Sequence, residues 1–429
     1  MNIRNIIFRL ADRWANNGEI YRNLRQLKEN LSQESDSYFN KDEVRELLDY
    51  AVSNIPFYSH LKYYADITDF PVVNKTLMRD NLSSFFNLSG SDGHKKVSTS
   101  GSTGTPFSSY QCKRKINRNT ADSIYFGSLV GYTVGEKLLY IKLWNAANEK
   151  SSFLKFRQNI ECIDVTDQSS TYIDETTIKA ARKSKKIHML AYASYYDHLL
   201  NYLSTRDLSL SNLGSALAMS EALSINTKTR LKNYLNVEVF SRYSNVENGI
   251  IAQQFPGSKG KFLVNTASYF VEILELETDL PVPYGQLGRI VITDLYNTAM
   301  PFIRYDTGDL AIMDYDDKDN AFYFIEVHGR KMDLIFDTES RPVSPLTINN
   351  NMLLFPEVTQ YQFIQLSKDK YEFILNIGVE NIYRREDELI AFFQEILGEN
   401  ARLSVKYVSE LPILSSGKRK QVINLSKEK

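Results

Sequence analysis

The spacing of apolar and polar positions changes character several times along the chain. At the start, Ile3, Ile6, Ile7, Leu10 and Trp14 recur at helical spacing with Arg4, Arg9 and Arg13 beside them, which predicts one amphipathic helix. Residues 1–97 read as mainly helical, punctuated at Ile55-Pro56-Phe57 and Phe70-Pro71, where proline removes a helix hydrogen bond. From about residue 98 to 270, short apolar runs alternate with helical stretches. Leu138–Leu143 and Ile187–Tyr192 read as buried strands, and Tyr196–Leu203 and Asn226–Leu235 as helices. That alternation predicts parallel α/β layers. After residue 260 the pattern becomes a series of strands, among them Phe270–Leu276, Gly288–Thr293 and Phe322–Val327, rich in β-branched and aromatic residues. From about residue 331 a compact α+β unit begins. Strands Gln360–Leu366 and Tyr371–Ile377 flank a Ser-Lys-Asp-Lys turn, followed by a helix at Arg384–Leu397 and a strand at Leu403–Val408. The expected fold class is α/β, with a large unit over 1–330 and a small unit over 331–429. No Pro/Gly-rich linker marks that split, which rests on pattern alone.

A length of 429 residues, roughly three common domains, fits two or three compact units. Fifty-one Lys plus Arg against 52 Asp plus Glu gives a net charge of −1, so no basic field covers the whole surface and a nucleic-acid partner is not expected. The two cysteines, Cys112 and Cys162, cannot build a disulfide framework, and with five histidines there is no CxxC or HxxxH spacing. A reducing, cytoplasmic setting without structural zinc is expected. No run reaches the ~18–20 apolar residues of a membrane span, and the N-terminus lacks the apolar block and cleavage site of a signal peptide. Its amphipathic helix has two readings, a membrane-surface helix or a helix packed on its own domain. The second is the expectation.

Four stretches carry candidate chemistry. Ser98-Thr99-Ser100-Gly101-Ser102-Thr103-Gly104-Thr105-Pro106 offers hydroxyls and backbone N–H groups to an anion, with Gly101 and Gly104 allowing close approach; a plain surface loop is the alternative. It is neither a Walker A motif nor a dinucleotide fingerprint. Tyr243-Ser244-Asn245-Val246-Glu247 comes just after the apolar strand Val237–Phe240: a ring to stack on a base and a carboxylate to hold Mg²⁺, or a polar loop. Arg304-Tyr305-Asp306-Thr307-Gly308-Asp309 precedes Gly329-Arg330. A carboxylate there can accept both ribose hydroxyls and an arginine can reach ribose or phosphate, although Thr-Gly-Asp is by itself a common turn. Near the end, Pro412-Ile413-Leu414-Ser415-Ser416-Gly417-Lys418 puts a lysine after a glycine hinge, a pattern shared with solvated tails.

Taken in order, these stretches resemble the adenylate-forming ligase superfamily, and most of all phenylacetate–CoA ligases and the ligase-like proteins of capsular polysaccharide biosynthesis. The family's phosphate loop is similar to Ser98–Pro106, its Tyr-Gly-x-x-Glu element to Tyr243–Glu247, its Arg-Tyr-x-Thr-Gly-Asp element to Arg304–Asp309, its Gly-Arg hinge entry to Gly329-Arg330, and its Pro-x-x-x-x-Gly-Lys ending to Pro412–Lys418. Ile55–Tyr58 and Pro71–Lys75 are weaker echoes, and Ser220-Glu221 stands where the family has an adenine-side pair. The likeness spans roughly residues 50–425. Three departures stand out: Ser244 replaces the common glycine, Met332-Asp333 replaces paired aspartates at the hinge, and Trp144–Asn148 replaces the Gly-rich acyl segment. The last argues against phenylacetate as the substrate.

The resemblance implies a large adenylate-forming domain of layered sheets and a small mobile C-terminal lid. It implies an AMP-forming ligase that activates a small carboxylic acid with ATP and Mg²⁺, releases pyrophosphate, and passes the acyl group to CoA or another thiol or amine. Ser98, Thr99, Ser100, Gly101, Ser102, Thr103 and Gly104 would cradle phosphates. Ser220, Glu221, Tyr243 and Ser244 would border the adenine, Asp309 and Arg330 would fix the ribose, Glu247 would hold the metal, and Lys418 would be catalytic. By position, Trp144, Tyr192, Ser194 and Tyr195 would line the acyl pocket, with aromatic core packing the alternative for each. An adenylyltransferase that leaves AMP on its product and a non-catalytic ligase-like binding protein remain competing readings. A homodimer and a role in surface polysaccharide synthesis are left open.

Overall fold

The computed structural model describes residues 2–31, 41–87, 94–98, 107–144, 150–165, 170–221, 223, 225–330, 334–343, 345–378, 383–409, 411 and 421–426. The chain opens with α1 (Ile3–Ala15), α2 (Glu19–Asn30), α3 (Lys41–Asn54), α4 (Lys75–Asp80) and α5 (Leu82–Phe85), as the pattern predicts. A two-stranded antiparallel hairpin follows, β1 (Lys95–Ser98) with β2 (Ser108–Gln111), and then the long helix α6 (Lys113–Leu129). An alternating stretch comes next: β3 (Lys137–Lys142), α7 (Ser152–Gln158), β4 (Ile160–Asp164), α8 (Ser170–Arg182), β5 (Ile187–Tyr192), α9 (Ala193–Thr205), β6 (Leu213–Met219), α10 (Ile225–Leu235) and β7 (Val239–Asn245). Strands β8 (Gly249–Gln253), β9 (Phe262–Val264), β10 (Tyr269–Leu274), β11 (Leu287–Asp294), β12 (Tyr305–Asp316) and β13 (Ala321–Arg330) complete the large unit.

These strands form a mixed sheet in the order β10-β11-β12-β13-β9-β8-β7-β6-β5-β3-β4. From β7 to β4 the neighbours run parallel; from β7 to β10 they run antiparallel. The chemistry of the strands matches the division. Every residue of β5 is buried, as expected of a parallel strand covered by helices on both faces. One apolar core, including Leu139, Ile141, Leu190, Leu199 and Leu217, fills the parallel half, and a second, including Phe70, Ile292, Phe302 and Tyr305, lies under the antiparallel half. Helix α6 is held by buried charge. Lys115 Nζ lies 2.6 Å from Asp294 Oδ2 with both side chains fully buried, and Arg118 donates to Ser268 Oγ at 2.7 Å, Tyr296 Oη at 2.8 Å and the Ala267 carbonyl at 2.7 Å.

The C-terminal residues build a separate sheet. After a small hairpin, β14 (Ile335–Phe336) with β15 (Pro342–Val343), and helix α11 (Pro345–Asn351), come β16 (Gln360–Gln365), β17 (Lys370–Asn376), α12 (Glu386–Leu397), β18 (Arg402–Tyr407) and β19 (Val422–Asn424). The sheet order is β18-β17-β16-β19, over a core that includes Phe363, Phe373, Leu389 and Phe393.

Three elements differ from the sequence reading. Strand β7 continues through Asn245, so Tyr243 and Ser244 lie within it rather than after it. Apolarity stops at Phe240 because the strand's last four residues are only half-buried. Thr307-Gly308-Asp309 lies within strand β12 and bulges away from β11, since Asp306 pairs with Val291 and Leu310 with Arg289; Gly308 takes a φ of 79° there, and the register with β13 shifts just beyond, between Leu310 and Ala311. Helix α1 packs on its own domain as expected, but through Asn5, Phe8 and Asp12, leaving its apolar stripe outside.

Candidate active site

In an open α/β sheet, functional groups gather beyond the carboxyl ends of parallel strands. Here those ends carry, in spatial order, Tyr243 and Ser244 on β7, Ser220 and Glu221 after β6, Tyr192 and Ser194 at and after the end of β5, and Lys142 and Trp144 at and after the end of β3. With neighbouring strands about 4.8 Å apart, the row spans roughly 15 Å, the scale of a nucleotide next to a small acyl group. Glu221 accepts a hydrogen bond from Ser194 N at 2.9 Å, capping the start of α9, whose own N-cap residue Tyr192 makes no side-chain cap. Ser220, with a φ of 69°, makes the bend that brings the carboxylate there.

Glu247 sits at the tip of the β7–β8 hairpin and is 1% exposed. Asn245 Oδ1 accepts from Asn248 N at 2.7 Å within this turn. Gly249 closes it at a φ of 107°, where a Cβ would come within 2.7 Å of Asn119 Oδ1, so only glycine fits without strain. The Glu247 carbonyl accepts from Gln111 Nε2 at 2.9 Å, which ties the tip to β2. Its Oε1 accepts from Tyr305 Oη at 2.8 Å and pairs with Lys75 Nζ at 2.9 Å. Its Oε2, fully buried, has no hydrogen-bond partner among the described residues.

Beside it, Tyr243 Oη donates to Asp309 Oδ2 at 2.8 Å and lies 3.3 Å from Thr307 Oγ1. Thr307 and Asp309, on either side of the bulge at Gly308, thus both meet the one Tyr243 hydroxyl. Asp309 stands opposite Arg330 in the β12–β13 register. Burial raises the Asp309 carboxyl above the ordinary aspartate range, while Tyr243, Arg330 and Lys75 pull it back. Burial also raises the Tyr243 hydroxyl well above 10.0, with the Asp309 charge adding to it, and burial raises Tyr305 likewise, reinforced by Glu247. Both phenols are therefore fixed as donors toward carboxylates at neutral pH.

Of the four residues expected to line an acyl pocket, Trp144, Tyr192 and Ser194 lie at or just past the ends of the adjacent strands β3 and β5. The Tyr192 hydroxyl is raised by burial, and it senses the Leu143 backbone and the charges of Glu221 and Asp164. Trp144 bonds Asp164 Oδ1 through its backbone N at 3.2 Å and the Tyr140 carbonyl through Nε1 at 3.2 Å. The fourth, Tyr195, is 5% exposed and shares a 2.8 Å hydrogen bond with Thr177 of α8, which makes it a helix–helix core contact. Lys142, which the motif reading did not single out, has its ammonium 4.3 Å from the Trp144 ring. Burial lowers its amine to about 8, opposed by the Cys162 thiol and aided by Lys150 and Lys95.

Thr99, Ser100, Gly101, Ser102, Thr103 and Gly104 lie outside the described residues. Their flanks do not: Ser98 Oγ meets Ser108 Oγ at 2.9 Å at the base of the hairpin whose strand β2 reaches Glu247 through Gln111. Lys418 and the hinge pair Met332-Asp333 also lie outside. Both flanks of the Lys418 segment are tied to β16, Leu411 N to Gln360 Oε1 at 3.1 Å and the Gln421 carbonyl to Phe363 N at 2.8 Å. Lys75 and Tyr305 lie inside the Pro71–Lys75 and Arg304–Asp309 stretches, yet nothing local in the sequence points either of them toward Glu247, which both contact.

This is the fold of the adenylate-forming enzymes. A solved structure of 2-hydroxyisobutyryl-CoA ligase in the postadenylation state, in complex with R3-HIB-AMP, matches with a TM-score of 0.68 over 91% of this chain and 93% of that one, at 16% identity. No family model matches the chain. Among curated proteins, Protein CapK of Staphylococcus aureus is 20% identical over 84% of this chain and 80% of its own length. A phenylacetate-coenzyme A ligase of Thermus thermophilus is 26% identical over 32% of this chain and 31% of its own. No helix among the described residues is long and apolar enough to cross a membrane.

Proposed function

We propose that the protein is an AMP-forming carboxylate ligase that uses ATP to convert a carboxylic acid into an acyl-adenylate and then transfers the acyl group to CoA or another thiol or amine. The observation that carries this reading is Glu247: a buried carboxylate with one oxygen bound and one free of partners among the described residues, next to the Tyr243–Asp309 pair, at the carboxyl edge of the parallel strands. A divalent cation such as Mg²⁺ fits that oxygen, and Glu247 would hold it together with ATP phosphates, where it would supply charge neutralisation. Among the described residues no cluster of three or more His, Cys, Asp or Glu competes for a metal.

In this reading the substrate carboxylate attacks the α-phosphorus of ATP; a new carbon-bound oxygen–phosphorus bond forms and pyrophosphate leaves. Two anions about 4 Å apart repel by about 4 kcal/mol at an effective dielectric near 20, so cationic groups at the developing charge offset the main barrier to approach. Lys418 is the proposed cation, carried by residues 331–429 acting as a lid on residues 1–330. Ser98–Gly104 cradle the phosphates. Asp309 and Arg330 orient the ribose, and Tyr243, Ser244, Ser220 and Glu221 border the adenine. Trp144, Tyr192 and Ser194 receive the acid. No general base is required, because a carboxylic acid is already ionised at pH 7. The similarity to CapK supports a role in decorating a surface polysaccharide. The test is a pyrophosphate-release screen over amino, aryl and hydroxy acids, with and without CoA. Acid-dependent release supports the reading. ATP consumption with AMP retained on a hydroxyl product, or no ATP binding at all, refutes it.

A further inference from the structure

The outside of α1 is at odds with ordinary packing. Ile3, Ile7, Leu10 and Trp14 are 71%, 47%, 62% and 91% exposed, and Ile6 is exposed beside them. At about 100° per residue these five side chains cover roughly a 100° arc, on the side opposite Asn5, Phe8 and Asp12. The helix thus turns Asn5, Phe8 and Asp12 inward and its main apolar stripe to solvent.

Hydrogen bonds hold it in that orientation. The buried Asp12 carboxylate accepts from Ile20 N and Tyr21 N, each at 3.2 Å, and so caps the first turn of α2. Arg9 Nε donates to Asn5 Oδ1 at 3.1 Å, Asn2 Oδ1 caps α1 by accepting from Arg4 N at 3.0 Å, and Lys113 Nζ reaches the Ala15 carbonyl at 3.0 Å. Rolling the helix over to hide its apolar face would break the Asp12 cap and strand a buried carboxylate, a loss of the kind that costs several kcal/mol.

The neighbouring α7 extends the patch. Phe153 and Phe156 are 70% and 73% exposed, and the Arg4 guanidinium lies 5.4 Å from the Phe156 ring. The charged side chains that α1 and α7 themselves place at its margins are basic. Arg9 and Arg13 border one margin of the α1 stripe and Arg4 the other, while α7 adds Lys155 and Arg157. Across α1 and α7 the only acidic side chain is Asp12, and it faces inward. An adjoining cleft is lined by Lys137, Lys185 and Lys186, with Glu136 paired to Lys186.

We propose that α1 and α7 form an interfacial patch that seats the protein on an anionic lipid surface, the apolar side chains entering the headgroup boundary and the arginines pairing with phosphates. The combination of an exposed apolar arc and flanking basic residues is what such a surface recognises. A second copy of the chain fits less well, since docking the patch on itself would oppose Arg4, Arg9 and Arg157 with their own equivalents.

Vesicle sedimentation of the full-length protein tests this, with phosphatidylcholine alone against an equal mixture with phosphatidylglycerol. The protein is expected to bind the phosphatidylglycerol vesicles and to be released by rising salt. L10D is expected to weaken that binding by about ten-fold or more, with thermal unfolding unchanged because Leu10 is exposed. The charge reversal R13E, which leaves every apolar side chain and the bonds that orient α1 in place, is expected to weaken it as well and provides a second route should L10D fail to fold. Trp14 emission is expected to shift to shorter wavelength on these vesicles, and the shift to vanish in W14A. Equal affinity for both vesicle types, absence of binding by a folded monomer, or a dimer that L10D dissolves would each overturn the proposal.

Discussion

Replacing Glu247 by glutamine separates a catalytic carboxylate from a structural one, because the structure predicts opposite sizes for its two effects. Oε1 pairs with Lys75 at 2.9 Å, a contact worth about 6 kcal/mol at an effective dielectric near 20. The Lys75 side chain is 39% exposed, so water screens the pair to about 1 kcal/mol. Against this, the neutral amide is spared the desolvation of a carboxylate held at 1% exposure, which offsets that loss. The amide keeps an oxygen for the Tyr305 hydroxyl. Stability in E247Q is therefore expected to change by no more than about 1–2 kcal/mol in a urea titration. Rate behaves differently: losing one preorganised charge-stabilising group costs about 10²–10³ in turnover. Acid-dependent pyrophosphate release at saturating ATP is expected to fall by that factor, with a raised requirement for Mg²⁺. Tyr305→Phe, which keeps the charge and removes one donor, is expected to lose only about ten-fold. A folded E247Q with full activity, or one destabilised by more than about 3 kcal/mol whose folded fraction works normally, would refute the reasoning.

Three further outcomes are expected. Lys115→Met leaves the fully buried Asp294 without its cation and is expected to lower stability by about 3–5 kcal/mol, read as an earlier urea midpoint; a neutral effect would contradict a stabilising role for that buried pair. Tyr243→Phe removes the donor to Asp309 and is expected to raise the KM for ATP several-fold while leaving pyrophosphate release at saturation nearly intact; a selective loss of turnover would contradict a binding role. Lys142 titrates near 8 in the folded chain against an ordinary 10.5, so between those values the unfolded chain holds more protons and stability rises with pH. K142M is accordingly expected to be stabilised relative to the parent below pH 8, with the gain fading toward pH 10.5; a gain independent of pH, in urea midpoints at pH 7 and pH 10, would contradict that.

Much of this architecture is written locally. Ile187–Tyr192 reads as a strand buried on both sides because all six residues tolerate burial, and it is one. The restart of strands after residue 331 reflects a separate core around Phe363 and Phe373. What the sequence hides is anything set by distant contacts. Lys75 meets Glu247 only because α4 and the β7–β8 hairpin are brought together by the fold. Tyr195 looks as eligible as Tyr192 for a ligand-facing role, yet its place in the first turn of α9 sets its ring against Thr177 of α8. The orientation of α1 is the clearest case. Its apolar stripe is correctly legible as a helix face, but the direction it points depends on Asp12 capping a second helix.

The central claim, that a cation from the C-terminal unit and the Glu247 carboxylate together drive adenylate formation, is tested most directly by exchange of labelled pyrophosphate into ATP in the presence of an accepted acid. The parent protein is expected to catalyse acid-dependent exchange, and Lys418→Ala to abolish it while still transferring the acyl group from supplied acyl-adenylate to the acceptor. Exchange that survives in Lys418→Ala, or that proceeds without any acid, would contradict the account.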